Sequence, residues 1–566
     1  MVFAFCAPGG TRTPNPLFRR QVLYPLSYGR IRTSGLPRSA PAFVVTIADK
    51  HNDERRVRQR TVHSIAKRHK MRYHAAMSTQ YTIPPEVLEV TDALCKAGYD
   101  AYLVGGCVRD LLIGKAPKDW DVTTNAHPEQ IQELFEETYY NNDFGTVGVV
   151  NGRTEDKTLK VVEVTPYRSE GEYTDKRRPD TVTFGVTLEE DLARRDFTVN
   201  AIALDPSNGH IADPYKGQDD IAAKLLRAVG NPTERFQEDA LRMLRAIRLG
   251  AELGFGIEQA TFVALTENAE SLAHVSKERV RDELTRIIMS SRPMEAVVHM
   301  KHTRLLPYVI PDLERSVGVE QNQAHKFTVF EHVLRALQHA ADKEWPLEVR
   351  LAALFHDISK PECRRKGPNG EWTFYGHEVV GSRVTRKALK ELRYPKEIVE
   401  KVVKMVRWHM FFSDPDTITL SAVRRMIVNV GGEETMWDLL NLRRCDRIGT
   451  GRPKEQPFRY RKYVSMVEEA LRDPINVGML KIDGKRLMDV TRETPGPRLG
   501  NMLHALLEEV LDDPSKNTVE YLEKRALELH ELSDEQLTEL GKAGKERKEE
   551  EDEKEVEELR KKHHVR

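Results

Sequence analysis

Apolar positions in residues 1–76 follow neither a helical nor a strand period. Regular patterning begins near Pro84. Residues 85–97 repeat at helical spacing, AYLV (101–104) reads as a short buried strand, and Gly105–Gly106 break it. Residues 107–113 then read as the first turns of a helix and WDVTT (120–124) as a second strand. TVGVV (146–150) and LKVVEVT (159–165) alternate as further strands. The pattern predicts an α+β fold, with a mixed head running to about residue 215. From about residue 219 to about residue 530 it is almost wholly helical, with Gly and Pro mainly at helix boundaries. The last 30 residues are charged throughout and read as a solvated or partly disordered helix.

Composition changes this picture in three places. No apolar run is long enough to cross a bilayer, so a cytoplasmic protein without a membrane partner is expected. The five cysteines (Cys6, Cys95, Cys107, Cys363, Cys445) form no CxxC pair, which suits a reducing compartment. Residues 1–76 hold fifteen Lys/Arg against three Asp/Glu, while the whole chain is formally neutral. A nucleic-acid partner must therefore be held by local patches of the remainder. The 1–76 segment reads either as a targeting peptide or as an extension foreign to the functional protein. The second reading is preferred, because Met71 and Met77 both precede the first patterned segment.

Candidate chemistry starts at LVGGCVRDLLIG (103–114), followed by KDWDV (118–122). Two glycines after a strand let backbone N–H groups approach a triphosphate, and Arg109 in the following helix adds positive potential. Asp119 and Asp121, i and i+2 on a strand, would converge on one face and could hold two Mg²⁺ ions. Glu163, on a neighbouring strand, could complete a carboxylate triad. RFQEDALRMLRAIRL (235–249) reads as one amphipathic helix presenting Glu238, Asp239, Arg242 and Arg245. Asp239 and Arg242, i and i+3 on one exposed face, could accept from an exocyclic amine and donate to the neighbouring ring nitrogen. Cytosine and adenine offer that edge; uracil and guanine do not. YRSEGEYTDKRRPDTVTF (167–184) reads as a mobile surface loop bounded by strands.

A second constellation follows in FEHVLRAL, ALFHDISK, FYGHE, RWHMFF and RRCDRIG. His332, His356, Asp357, His377, His409 and Asp446 are imidazole and carboxylate ligands suited to one or two divalent transition ions. Residues 443–462 hold Arg443, Arg444, Arg447, Arg452, Lys454, Arg459, Arg461 and Lys462 with only two acids, interleaved with Phe458 and Tyr460. That segment reads either as a phosphate-gripping patch or as a solvated basic face.

Together GGCVRDLLIG–KDWDV, RRDFTVNAIA (194–203) and EDALRMLRAIRL (238–249) closely resemble the class II tRNA nucleotidyltransferase and bacterial poly(A) polymerase family, continuously over about residues 84–290. The resemblance implies a polymerase-β-type nucleotidyltransferase head (84–218), a helical neck that selects bases and contacts RNA (219–315), an HD-containing helical region (316–470), a helical tail (471–530) and a charged end (531–566). It assigns metal binding to Asp119, Asp121 and Glu163, and triphosphate binding to Gly105, Gly106, Arg109 and Asp110. Sugar and phosphate contacts fall to Arg194, Arg195, Asp196 and Asn200, and base selection to Asp239 and Arg242. In the family a flexible loop near 167–184 helps switch the pocket from CTP to ATP, which favours an enzyme that reaches the terminal A. The implied activity is addition of CCA to the 3′ end of tRNA from CTP and ATP. Poly(A) or A-only addition is the nearest alternative, and an HD metallohydrolase with a vestigial head the next. The His/Asp set resembles the HD metallophosphohydrolases, which implies hydrolysis of phosphoesters at RNA ends. Oligomeric state is not legible in the sequence.

Overall fold

The structure, a computed structural model, describes residues 81–141, 145–171, 181–321, 326–367, 370–411 and 417–542. The expectations for residues 1–76, for the centre of the 167–184 segment and for the chain beyond 542 lie outside the described residues.

The head opens with α1 (Pro85–Lys96), which places Pro at its first turn and buries Val87, Val90 and Leu94. β1 (Tyr102–Val104) leads through Gly105 into α2 (Gly106–Leu112). β2 (Asp121–Thr124) is followed by α3 (Pro128–Leu134), started by a capping box between His127 and Gln130. β3 (Thr138–Asn141), β4 (Thr146–Val150), β5 (Val161–Pro166), β8 (Ala203–Leu204) and β9 (Ile211–Ala212) complete one mixed sheet, ordered β3-β4-β5-β2-β1-β8-β9. Its β2–β5 pair is parallel and sets Asp121 opposite Glu163; its other pairs are antiparallel. α1 and α3 share a core cluster with the strands through Leu94, Ile131, Leu103, Val122, Val147, Val162 and Val164, all fully buried. The opposite faces of β2 and β5 are thereby left for polar side chains.

The segment expected to be a loop is partly strand. β6 (Arg168–Glu170) and β7 (Val182–Phe184) pair antiparallel before α4 (Leu188–Ala193), which is capped by Thr187.

The helical part contains two small ladders. β10 (Leu225–Leu226) pairs parallel with β11 (Gly256–Ile257), and β12 (Arg365–Lys366) pairs antiparallel with β13 (Trp372–Thr373). The single helix expected over 235–249 is two helices: α5 (Pro232–Glu238) and α6 (Leu241–Leu253), with Asp239 between them in extended backbone (φ −142°, ψ 104°). α7 (Lys277–Met289) packs on α6, tied by the buried pair of Arg248 Nε and Glu283 (2.7 Å). The helices carrying the second constellation follow: α8 (Val329–Asp342), α9 (Leu347–Phe355), α10 (Lys360–Cys363), α11 (His377–Glu391), α12 (Lys396–Trp408), α13 (Leu420–Val430), α14 (Glu433–Gly449) and α15 (Phe458–Ala470). One continuous apolar cluster runs from Phe197 through these helices to Ala470. A separate cluster gathers Leu480, Ile482 and Leu487 with residues of α16 (Pro497–Asp512), α17 (Val519–His530) and α18 (Asp534–Lys542), so ordered helix continues into the segment expected to be a solvated charged end. Arg424 of α13 joins the two clusters by donating to Leu511 O (2.7 Å) and pairing with Asp473 (2.8 Å).

Candidate functional site

The β1–α2 turn, the front of β2, the segment after α4 and the α5–α6 break converge on a cavity of about 360 Å³. Gly105 enters the turn at φ +80°, a left-handed conformation that disfavours other residues. A Cβ there would lie 3.3 Å from Arg195 Nη1 and 3.6 Å from Asp121 Oδ2, so the missing side chain keeps the guanidinium, the carboxylate and the backbone close together.

Asp121 is the first residue of β2, whereas Asp119 precedes the strand and is exposed. Trp120 between them is buried in the head core (3% exposed), and Asp121 Oδ2 lies beside the Gly105 turn. Burial pushes the Asp121 carboxyl up to about 6; Arg195 opposes the shift, and Glu163 and Asp119 reinforce it. Glu163, Asp119, Arg109, Asp110 and Glu238 do not line the cavity. Arg109 instead grips Asp110 (2.7 Å) and donates to Asn200 Oδ1 (2.7 Å), coupling α2 to the 194–200 segment.

Gly105, Gly106, Asp121, Arg194, Arg195, Asp196, Asn200, Asp239, Arg242 and Arg245 all line the cavity. Asp196 is buried, which alone would raise its pKa, but Arg245 (Nη2, 2.7 Å) outweighs burial and holds the carboxyl down at about 2. Its oxygens also accept from Phe197 N–H and Asn200 Nδ2, so the acceptor expected to meet a ribose hydroxyl is already engaged.

The base-selecting pair departs further from expectation. Asp239 and Arg242 are neither on one helix nor on an exposed face: Asp239 is half-buried and Arg242 buried. Asp239 accepts a bidentate pair from Arg279 of α7 (2.7 and 3.2 Å) and the N–H of Leu241 (3.0 Å). Arg242 pairs with Glu238 and donates to Arg235 O (3.2 Å). Both side chains nevertheless open onto the cavity, so the structure brings them to the expected place with other partners.

Sequence reasoning missed four residues here. Arg279, Arg168 and Glu170 line the cavity. Asp191, with a fully buried side chain, holds Arg194 (2.8 and 2.9 Å) and Arg195 (3.1 Å) and accepts from Thr123 of β2 (3.3 Å). Asp191 stands three and four residues before the two arginines, a helical spacing that could have revealed it. Arg279 lies 40 residues from Asp239 and carries no such signal.

The second constellation assembles fully. His332 on α8, His356 and Asp357 after α9, His377 opening α11, His409 ending α12 and Asp446 on α14 form two touching triads, His332/His356/Asp446 and Asp357/His377/His409. Asp357 lies between them, 3.1 Å from His332 Nε2 and 3.2 Å from His377 Nε2. The Nδ1 atoms of His356, His377 and His409 bond the carbonyls of Ala353 (3.0 Å), Phe374 (2.8 Å) and Val406 (2.7 Å). That places the proton on Nδ1 and leaves each Nε2 lone pair facing the cluster, the arrangement a metal ligand requires. Burial holds the His356 imidazole down at about 3, so it stays neutral. Gly449 lets α14 approach α8, since a Cβ there would fall 2.8 Å from His332 O. Lys360, unforeseen, is buried beside the cluster with Nζ 2.6 Å from Asp357 Oδ2 and 2.8 Å from Gln321 Oε1.

In the 443–462 patch, Tyr460 is buried and bonds Leu440 O and Arg444, so only Phe458 of the two aromatics is exposed. Arg443 pairs with Asp446 (2.9 Å). Arg452, Lys454, Arg459, Arg461 and Lys462 face outward. No helix of the described residues is long and apolar enough to cross a membrane.

Comparison with known proteins agrees with this architecture. Residues 101–227 match the family model "Poly A polymerase head domain", 254–316 match "Probable RNA and SrmB- binding site of polymerase A", and 329–445 match "HD domain". The chain is 35% identical to the CC-adding tRNA nucleotidyltransferase of Thermus thermophilus over 72% of its length and 89% of that enzyme. It is 43% identical to the CCA-adding enzyme of Geobacillus kaustophilus over 43% of its own length and 58% of that enzyme. The solved CCA-adding enzyme of Bacillus stearothermophilus in complex with CTP superposes with a TM-score of 0.58 at 28% identity, covering 79% of this chain and 98% of that one.

Proposed function

The chain belongs to the family of tRNA nucleotidyltransferases that includes the CCA-adding enzymes, and from that membership we propose that it adds C, C and A to the 3′ end of tRNA using CTP and ATP. The observation that carries the proposal is the single cavity in which Asp121, the Gly105–Gly106 turn, Arg195, Asp239 and Arg242 meet. Asp119, Asp121 and Glu163 would hold Mg²⁺, which when bound assists attack by the terminal hydroxyl and neutralises the departing pyrophosphate. The turn's N–H groups and the Asp191-anchored arginines 194 and 195 bind and orient the triphosphate. Asp196, already engaged, holds Arg245 and Asn200 in the cavity wall. Asp239 accepts from the amine of C or A and Arg242 donates to the adjacent ring nitrogen, each exchanging its present partner for the base. Outward-facing cations of 452–462 would take the tRNA backbone.

Incubating a truncated tRNA with CTP alone, ATP alone and both, then sequencing the ends, tests this reading. CC from CTP and CCA only from the mixture is expected; A-tailing from ATP alone on the bare end would replace it with poly(A) or A-only addition.

A second activity is favoured by the HD cluster, where three imidazoles have their tautomers fixed toward the cluster. The residues fit a divalent transition ion, which when bound would polarise a phosphoester and acidify water for hydrolysis. Water oxygen would join phosphorus, the P–O ester bond would break, and the leaving oxygen would take up a proton. Metal analysis of the purified chain, beside a variant with His356→Ala and Asp357→Ala, checks the site without relying on turnover: stoichiometric metal in both would remove it.

A further inference from the structure

The connection between the two halves of the HD ligand set is anchored at the cluster on both sides. It leaves α10, whose Lys360 reaches Asp357, and returns at His377, whose ring bonds the carbonyl of Phe374. Between these points β12 and β13 form a hairpin. Its chemistry is cationic and aromatic. The Arg364 guanidinium lies 3.6 Å from the centroid of the Trp372 ring, Lys366 Nζ lies 5.4 Å from the same ring, and Lys360 Nζ lies 5.5 Å from Phe374. Tyr375, two residues before the ligand His377, is 66% exposed.

Two-residue strands do not require this investment. Arg365 and Lys366 are both exposed and give the hairpin a charged outer side. Arg364 Nε is buried with no hydrogen-bond partner among the described residues, and the one acid near this guanidinium, Glu320, is 3.9 Å away. A guanidinium against the half-buried Trp372 indole, the exposed Tyr375 ring and three consecutive cations match a nucleobase with flanking phosphates. Every base presents a π-face, so such a surface binds without reading sequence.

We propose that Arg364, Lys366, Trp372 and Tyr375, on and beside β12 and β13, form a stacking site for the terminal base of an RNA, which they present to the HD cluster. The proposal rests on the reading of that cluster as a phosphoester hydrolase centre and names its substrate class. Stacking fixes the base while the adjoining ester reaches the ligands, so the hairpin governs affinity and leaves the chemical step to the cluster.

The test compares three substrates on the full chain: adenosine 2′,3′-cyclic phosphate, a short RNA ending in the same group, and methyl riboside 2′,3′-cyclic phosphate, which lacks a base. A variant with Trp372→Ala and Tyr375→Ala should raise KM for both base-bearing substrates by about 5- to 50-fold, from the known strength of base–aromatic stacking. The baseless substrate should be unaffected, and Phe at both positions should restore KM. Equal KM for wild type and Ala variant on the RNA overturns the proposal. A penalty confined to the mononucleotide also overturns it, in favour of a free nucleotide as occupant. If the wild type hydrolyses none of the three, the hydrolase reading fails by itself. Calorimetric binding of an oligoadenylate then decides the hairpin: at least fivefold weaker binding by the Ala variant supports stacking, and unchanged binding ends it.

Discussion

At the scale of single residues, the cavity works because its charges are held by other charges. Asp121 sits where burial raises its pKa to about 6 and Arg195 restrains the rise, so it is ionised at neutral pH yet poorly solvated, which suits a cation ligand. Asp121→Ala should reduce addition by at least ~10³-fold, of the order expected when a metal ligand is lost, while tRNA binding by filter retention stays within twofold. Addition near the wild-type rate would remove Asp121 from the chemistry. Asp239 has two duties that substitutions can separate. Its carboxylate holds Arg279, so Asp239→Ala strands a half-buried guanidinium and should cost about 1–3 kcal/mol in urea unfolding. The same change should admit UTP and GTP. Arg279→Met removes the same ion pair and should lower stability comparably while retaining C/A selection. Equal loss of selection in both variants would mean that Asp239 acts only through Arg279. Why one duty was readable and the other was not is a matter of range. The i, i+3 spacing of Asp239 and Arg242 is visible in sequence, whereas the Arg279 contact exists only after two helices have packed.

At the scale of elements, the break between α5 and α6 is the clearest departure from the periodic pattern. The apolar spacing of 235–249 continues without interruption, and neither Gly nor Pro marks an end there. What bends the chain is side-chain chemistry: Asp239 accepts from Leu241 N–H in the manner of a helix cap and is fixed by α7. The strands and the HD helices were legible because alternation and helix-end ligands are local features. The β6–β7 ladder was missed because each strand is three residues long and polar. A second element-level tie joins the 194–200 segment to α6 through Asp196 and Arg245. The Asp196 carboxyl falls from 3.8 to about 2 on folding, so its contribution, about 2 kcal/mol, is fully present above pH ~4 and is lost as pH falls toward 2. Asp196→Asn should therefore destabilise the chain at pH 7, with the difference from wild type shrinking at pH 3. A difference independent of pH would show that the pair is not what stabilises this junction.

At the scale of the whole molecule, the question is whether the HD cluster and the nucleotide cavity can be separated. Their ligands lie on different elements, but one apolar core runs from Phe197 to Ala470 beneath both. A specific bond crosses it: Arg350 of α9, the helix that ends at His356, donates to the carbonyls of Ile288 and Ser290 at the end of α7 (both 3.1 Å). α7 in turn carries Arg279. Chelation cannot resolve the question, because both sites are expected to need divalent ions; substitution can. The variant with both His356→Ala and Asp357→Ala should lose metal uptake and any phosphohydrolysis. Removing two buried groups and freeing Lys360 from its partner should also lower Tm by several degrees, at roughly 2–4 °C per kcal/mol for a domain of this size. Addition of CCA at 25 °C should nevertheless stay within about threefold of wild type, because side-chain losses of this kind relax locally in a packed interior while the backbone of α9 keeps its helix. If the folded variant adds nucleotides much more slowly, the two sites are coupled. The route can then be checked with Arg350→Met, which leaves every HD ligand in place. Slow addition by that variant as well would assign the coupling to the α9–α7 clamp, and normal addition would send it through the apolar core.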